Sequence, residues 1–81
     1  MNSFTVTLNN DILVKNVTKI VFGLNNLTNS SIYFEKENRR VNAKSILGLL
    51  SLMVGKGDKI TVYYTENGLE DKIKNILLNE Y

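Results

Sequence analysis

From Ser3 to Leu8 the chain alternates, with Phe4, Val6 and Leu8 on one side and Ser3, Thr5 and Thr7 on the other. A period of two with one apolar side predicts a half-buried strand. Asn9-Asn10-Asp11 breaks it, and Ile12 to Val14 reads as a short apolar loop or strand extension. The period then lengthens. Asn16 is a suitable helix cap, and Val17, Ile20, Val21, Leu24 and Leu27 recur at offsets of three and four, which predicts a short amphipathic helix. Its β-branched residues and Gly23 are poor helix formers, so packing has to hold it. Asn25 to Ser30 reads as a polar connector. Alternation returns at Ser31 to Lys36, with Ile32 and Phe34 opposed to Tyr33 and Glu35. Glu37-Asn38 predicts a hairpin turn, although only Asn38 suits a positive φ, and Arg39 to Asn42 predicts the return strand. Asp58 to Thr65 alternates Ile60, Val62 and Tyr64 against Thr61 and Tyr63. Asn67 and Glu70 then form a capping-box pair ahead of a last helix. In that helix Leu69, Ile73, Ile76 and Leu77 face inward, and Glu70 and Lys74 stand at the favourable i,i+4 spacing.

Between these elements runs Val41 to Gly57, V-N-A-K-S-I-L-G-L-L-S-L-M-V-G-K-G, and the rest of the chain is organised around it. It predicts a helix entered at Asn42 to Ser45, with Asn42 or Ser45 as its cap and Gly55 and Gly57 as terminators. Ile46, Leu49, Leu52 and Met53 make one apolar stripe; Leu47, Leu50 and Val54 make a second beside it. A helix packed on one side of a sheet needs only one stripe. A chain this short cannot easily wrap a helix on all sides. Leu47 and Leu50 therefore belong to a docking face, or a loop from elsewhere in the chain covers them.

The predicted order is β-α-β-β-α-β-α. Its fold class is α+β: a four-stranded antiparallel sheet with three helices on one face, an open-faced sandwich, in a single domain over residues 1–81. Composition narrows the chemistry. There is no cysteine, which excludes disulfides and thiolate metal sites, and no histidine, which leaves only carboxylates as metal ligands. We expect no metal and no cofactor. A net charge of +2 is too small to argue for nucleic acid. The N-terminal stretch M-N-S-F-T-V-T-L lacks signal-peptide character, and no apolar run spans a membrane. The expectation is a cytoplasmic protein with no membrane contact.

The stretch V-N-A-K-S-I-L-G-L-L-S-L, followed by G-K-G-D-K-I-T-V, resembles the segment around the regulatory serine of HPr. HPr is the histidine-containing phosphocarrier of the bacterial sugar phosphotransferase system. The resemblance implies the open-faced sandwich already read from the periodicity. It also implies phosphate transfer on a histidine at the head of the first helix, and the residues refuse this. The matching region is Asp11 to Thr18, and the family histidine falls near Val14 or Lys15; the family's following Arg and Pro are absent too. Without an imidazole no phosphohistidine forms, and a protonated lysine amine is no substitute.

The serine remains. Ser45 lies in A-K-S-I-L-G-L, where the family's regulatory serine lies at the start of a helix. The combination is similar to the catabolite-repression HPr paralogues of Gram-positive bacteria, which lack the histidine, keep the serine and act as corepressors once it is phosphorylated. The resemblance implies a bacterial regulatory module, not an enzyme, that binds proteins in carbon catabolite regulation. Its partners would be the HPr serine kinase and a catabolite-control transcription regulator. Phosphorylation would fall on Ser45, docking on Ile46, Leu47 and Leu50, and charge response on Lys44, Arg39, Arg40 or Lys56. The alternatives are a residual phosphotransferase-system component that accepts phosphate on another residue, or a decayed or structural paralogue in which Ser45 is only a helix cap. The expected state is a monomer or weak homodimer. The basic hairpin with Tyr33 reads as a solvated face rather than an RNA platform.

Overall fold

The computed structural model describes residues 1–12 and 14–78. In chain order its elements are β1 (Asn2–Thr7), α1 (Val14–Leu27), β2 (Ile32–Lys36), β3 (Arg39–Asn42), α2 (Ile46–Leu52), β4 (Lys59–Tyr64) and α3 (Glu70–Leu78). The four strands form one antiparallel sheet in the order β1-β4-β2-β3. The first strand therefore pairs with the last, Phe4 opposite Val62, and Val62 in turn faces Phe34. Along β4, Ile60, Val62 and Tyr64 are buried while Thr61 and Tyr63 are not. One side of the sheet carries the core. Val17, Ile20 and Leu24 of α1, Leu49 and Leu52 of α2, and Ile73 and Leu77 of α3 are buried in it. The expected fold class holds.

Several boundaries differ from the sequence expectation, each for a physical reason. Asn16 lies inside α1 rather than capping it. It is buried, and its Nδ2 donates to the Asp11 carbonyl at 2.9 Å, tying the helix to the segment that enters it. The helix also continues through Asn25 and Asn26 to Leu27. Leu24 and Leu27 still reach the core, and Asn25 Nδ2 bonds back to the Val21 carbonyl at 3.0 Å. Asn67 does not cap α3. Its Oδ1 accepts from Asn2 Nδ2 at 3.0 Å, and α3 starts at Glu70, which pairs with Lys74 at 2.9 Å as expected. In the hairpin turn Glu37 and Asn38 both take positive φ, 51° and 68°. That double left-handed turn matches the strand twist, so the geometry of the hairpin overrides the preference of a glutamate.

The end of α2 is the most consequential difference. The helix stops at Leu52, not at Gly55, with Met53 in the left-handed region at φ 54°. Stopping there returns Val54 to the core, where it is 6% exposed, and turns Met53 out to 81% exposure. Two cations donate to the terminal carbonyls, Arg39 Nη1 to that of Ser51 at 2.7 Å and Lys36 Nζ to that of Met53 at 3.3 Å. Both sit favourably at the negative end of the helix dipole. Met53→Gly, which removes the Cβ penalty of the left-handed cap, is expected to stabilise the chain by up to about 1 kcal/mol. A urea unfolding midpoint that rises without a change in slope will show it.

Candidate functional site

Ser45 caps α2. Its backbone is extended, at φ −108° and ψ 121°, and its Oγ accepts from the Gly48 N–H at 3.1 Å. Asn42, the other cap candidate, shapes the approach instead: its Oδ1 accepts from the Lys44 N–H at 2.9 Å and its carbonyl from the Ser45 N–H at 3.1 Å. The turn Ala43-Lys44 thus swings the chain from β3 into the helix, and buried Ala43 anchors it. Gly48 permits the close approach. A Cβ there would lie 3.0 Å from the Asn42 carbonyl oxygen and 3.3 Å from the Ser45 Cβ.

The two apolar stripes divide differently from the expectation, with Ile46 and Met53 of the first exposed and Val54 of the second buried. Leu49 and Leu52 face the core, whereas Leu47 is 78% exposed and Ile46 40%. Leu50 is intermediate, packed against the edge of the core. Residues 46, 47 and 50 share one side of a helix, since positions three and four apart are neighbours. They form an apolar patch that starts next to Ser45. Neither Ile46 nor Met53 stays in the stripe the sequence assigned to them. Phe22 of α1 is 71% exposed, and the sequence reading passed over it. Its phase, opposite Val17, Ile20 and Leu24, was the available signal.

The basic residues of the hairpin and of the turn before Ser45 are dispersed. Arg39 is bound at the C-terminal end of α2, about 9 Å along the helix axis from Ser45. Arg40 lies on the solvent face of the sheet, 4.0 Å above the Tyr63 ring, with its Nε donating to Glu35 at 3.2 Å. Lys36 is paired with Asp58 at 3.1 Å. Lys44 is the residue adjacent to Ser45, and its Nζ donates to the Thr28 carbonyl.

The family histidine position falls near Val14 and Lys15, the first two described residues of α1, and Lys15 is exposed there. Beside this end of α1 two carboxylates hold the connection from α2 to β4. Asp11 Oδ1 accepts from the Lys56 N–H at 2.8 Å, so Gly55 has no room for a Cβ, which would fall 2.8 Å from that oxygen. Asp58 Oδ2 accepts from the Gly55 N–H at 2.8 Å and from Lys36. The Gly55 bond, and after it Lys36, hold the Asp58 carboxyl below its ordinary value. Among the described residues no cluster of histidine, cysteine or carboxylates could hold a metal ion, and no helix is long and apolar enough to cross a membrane.

The comparisons with known proteins agree with this geometry. A family model described as the phosphotransferase-system HPr component phosphorylation site matches residues 1–77. The HPr-like protein Crh of Halalkalibacterium halodurans is 40% identical over 48 residues, 59% of this chain and 57% of that protein. The match thus spans little more than half the length of that relative. Among solved structures, the phosphocarrier protein HPr of Bacillus anthracis superposes with a TM-score of 0.80 at 27% identity, covering 94% of this chain and 92% of that one. The Bacillus subtilis catabolite-repression protein Crh superposes with a TM-score of 0.75 at 30% identity, over 94% and 90% of the two chains; that structure is a domain-swapped, intertwined dimer. HPr-family proteins are not enzymes. A match over nearly the whole chain, on a β1-β4-β2-β3 sheet with three helices, makes this protein a member of the HPr family.

Proposed function

We propose that this chain is a regulatory, Crh-like member of the HPr family, a single-domain cytoplasmic protein that binds other proteins and is switched by phosphorylation of Ser45. The observation that carries the reading is the junction of a capping serine with an exposed apolar patch: Ser45 heads α2, and Ile46 and Leu47 follow it in solvent. The absence of histidine from the 81 residues supports a regulatory role over phosphate transfer through an imidazole.

In the proposed reaction the HPr serine kinase transfers the γ-phosphoryl group of ATP to Ser45 Oγ. The new O–P bond replaces the bond to ADP, and the hydroxyl proton leaves to a base on the kinase. The product adds about −1.5 to −2 charges beside an apolar patch. A partner that desolvates Leu47, Ile46 and Leu50 meets a different surface before and after that step, so partner choice changes. Lys44 is the cation next to the phosphate in the chain; Arg39 is bonded at the far end of α2 and Arg40 lies over Tyr63. A catabolite-control transcription regulator is the proposed partner of the phosphorylated form. The swapped dimer of the Bacillus subtilis relative makes a homodimer a reasonable second state for this chain.

Intact-mass measurement after incubation with the HPr serine kinase and ATP tests the reading. One added phosphoryl group is expected, absent in Ser45→Ala. That variant also loses its helix cap, at a cost of about 0.5–2 kcal/mol, so its fold is checked by circular dichroism in parallel. If the unaltered chain gains no mass, Ser45 is a helix cap and the switch is wrong.

A further inference from the structure

We infer that Lys44 reads the modification of Ser45 and relays it, through Thr28, to the end of α1 and to the connection between β4 and α3. This rests on the serine-phosphorylation reading above. Thr28 is one of two buried polar residues among the described residues, and three segments of the chain meet on it. Its N–H donates to the Leu24 carbonyl at 3.3 Å, continuing the hydrogen-bond ladder of α1. Its Oγ1 accepts from the Ser30 N–H at 3.0 Å and donates to Glu66 Oε1 at 2.6 Å. Its carbonyl accepts from Lys44 Nζ.

The last bond has a clear electrostatic role. The end of a helix carries carbonyls without intrahelical donors and the negative end of the dipole. α1 has no basic residue in its own last turn, so Lys44 supplies the cation from the turn before α2. The same cation stands next to Ser45 in the chain, with its backbone fixed by Asn42.

A phosphate dianion on Ser45 competes for this ammonium. Both bonds have an ionised donor, but only the phosphate sets a full opposite charge, about −1.5 to −2, against the ammonium, where the carbonyl offers a partial one. Of the other cations, Arg39 is committed to the far end of α2, Lys36 to Asp58, and Arg40 to Glu35 and Tyr63, while Lys56 lies beyond the far end of α2 in the connection that leads to β4. Lys44 therefore moves from the Thr28 carbonyl to the phosphate. α1 then loses the cation at its end, and the Thr28–Glu66 bond loses the positive charge beside it. The change surfaces at residues 28–30 and at Glu66, away from the apolar patch of α2.

The experiment installs phosphoserine at position 45 during synthesis, so it does not depend on any kinase recognising the chain. Failure of the kinase assay and failure of the relay are thereby separated. Amide hydrogen exchange and 15N–1H spectra are compared for the chain, for Lys44→Met and for Lys44→Arg, each with serine or phosphoserine at position 45. In the unaltered chain, phosphoserine is expected to shift the Ser30 and Glu66 amides and to speed exchange at Ser30 severalfold. In Lys44→Met these amides already stand at the shifted positions and do not respond further; in Lys44→Arg the response returns. Ser30 and Glu66 amides that ignore phosphoserine in the unaltered chain, or respond to it equally in Lys44→Met, overturn the relay.

Discussion

Leu49→Ala is expected to destabilise the chain by about 2–5 kcal/mol, while Leu47→Asp, two residues earlier on the same helix, is expected to change stability by no more than about 0.5 kcal/mol. Leu49 is 1% exposed among α1, the sheet and the rest of α2, so its truncation loses both transfer energy and the contacts around the cavity left behind. Leu47 is 78% exposed and has little buried area to lose. Urea unfolding of the two variants beside the unaltered chain decides the matter. Equal costs would mean that Leu47 is covered, and the proposed docking surface would disappear. If instead Leu47→Asp keeps its stability, it becomes a clean test of the proposed docking surface, where a charge in the centre of a desolvated apolar contact is expected to cost affinity at least tenfold. Leu50, half-buried at the edge of the patch, is expected to fall between the two when replaced by alanine.

Phe34→Ala carries the largest expected cost of all, about 3–5 kcal/mol. Phe34 is fully buried on β2, an inner strand, between Val41 of β3 and Val62 of β4. A domain of 81 residues has a total stability of roughly 4–12 kcal/mol, so this one truncation consumes a large part of it. The consequence reaches the candidate site, because β3 feeds directly into the Ala43-Lys44 turn that presents Ser45. We expect a thermal midpoint lowered by about 10 °C or more, and with it faster amide exchange in α2 before global unfolding. A variant that melts within a few degrees of the unaltered chain would show that the inner strands do not carry the fold.

How much of this was legible in the sequence differs by element. Strands with one solvated face announce themselves: Phe4, Val6 and Leu8, then Ile60, Val62 and Tyr64, alternate with polar neighbours, and each falls on the core side as expected. The order of elements followed from the switch between periods of two and 3.6, and the α+β architecture from that order. Ser45 was legible too, since a serine ahead of an apolar helical run is a cap by local chemistry alone. The lack of histidine within the 81 residues is likewise read from the sequence alone.

Tertiary structure alone decided what depends on groups far apart in the chain. The C-terminus of α2 had two glycines to choose from, and local propensity favours both. The helix ends earlier, at Leu52 with Met53 as its left-handed cap, because Val54 is needed in the core and because Lys36 and Arg39, contributed by the hairpin, satisfy the terminal carbonyls. The basic residues clustered in sequence are scattered in space for a related reason. Arg39 and Arg40 are consecutive in a strand, so they point to opposite faces of the sheet, one toward α2 and the other over Tyr63. Asp11 against Lys56, and Thr28 against both Lys44 and Glu66, join positions 16 to 45 residues apart. No local pattern encodes such pairs. They exist because the sheet brings its first strand beside its last and so draws the connecting loops to common ends. The sequence determined which residues seek the interior and set a capping serine ahead of α2; only the packed chain determined that Lys44, beside that serine, is bonded to the Thr28 carbonyl.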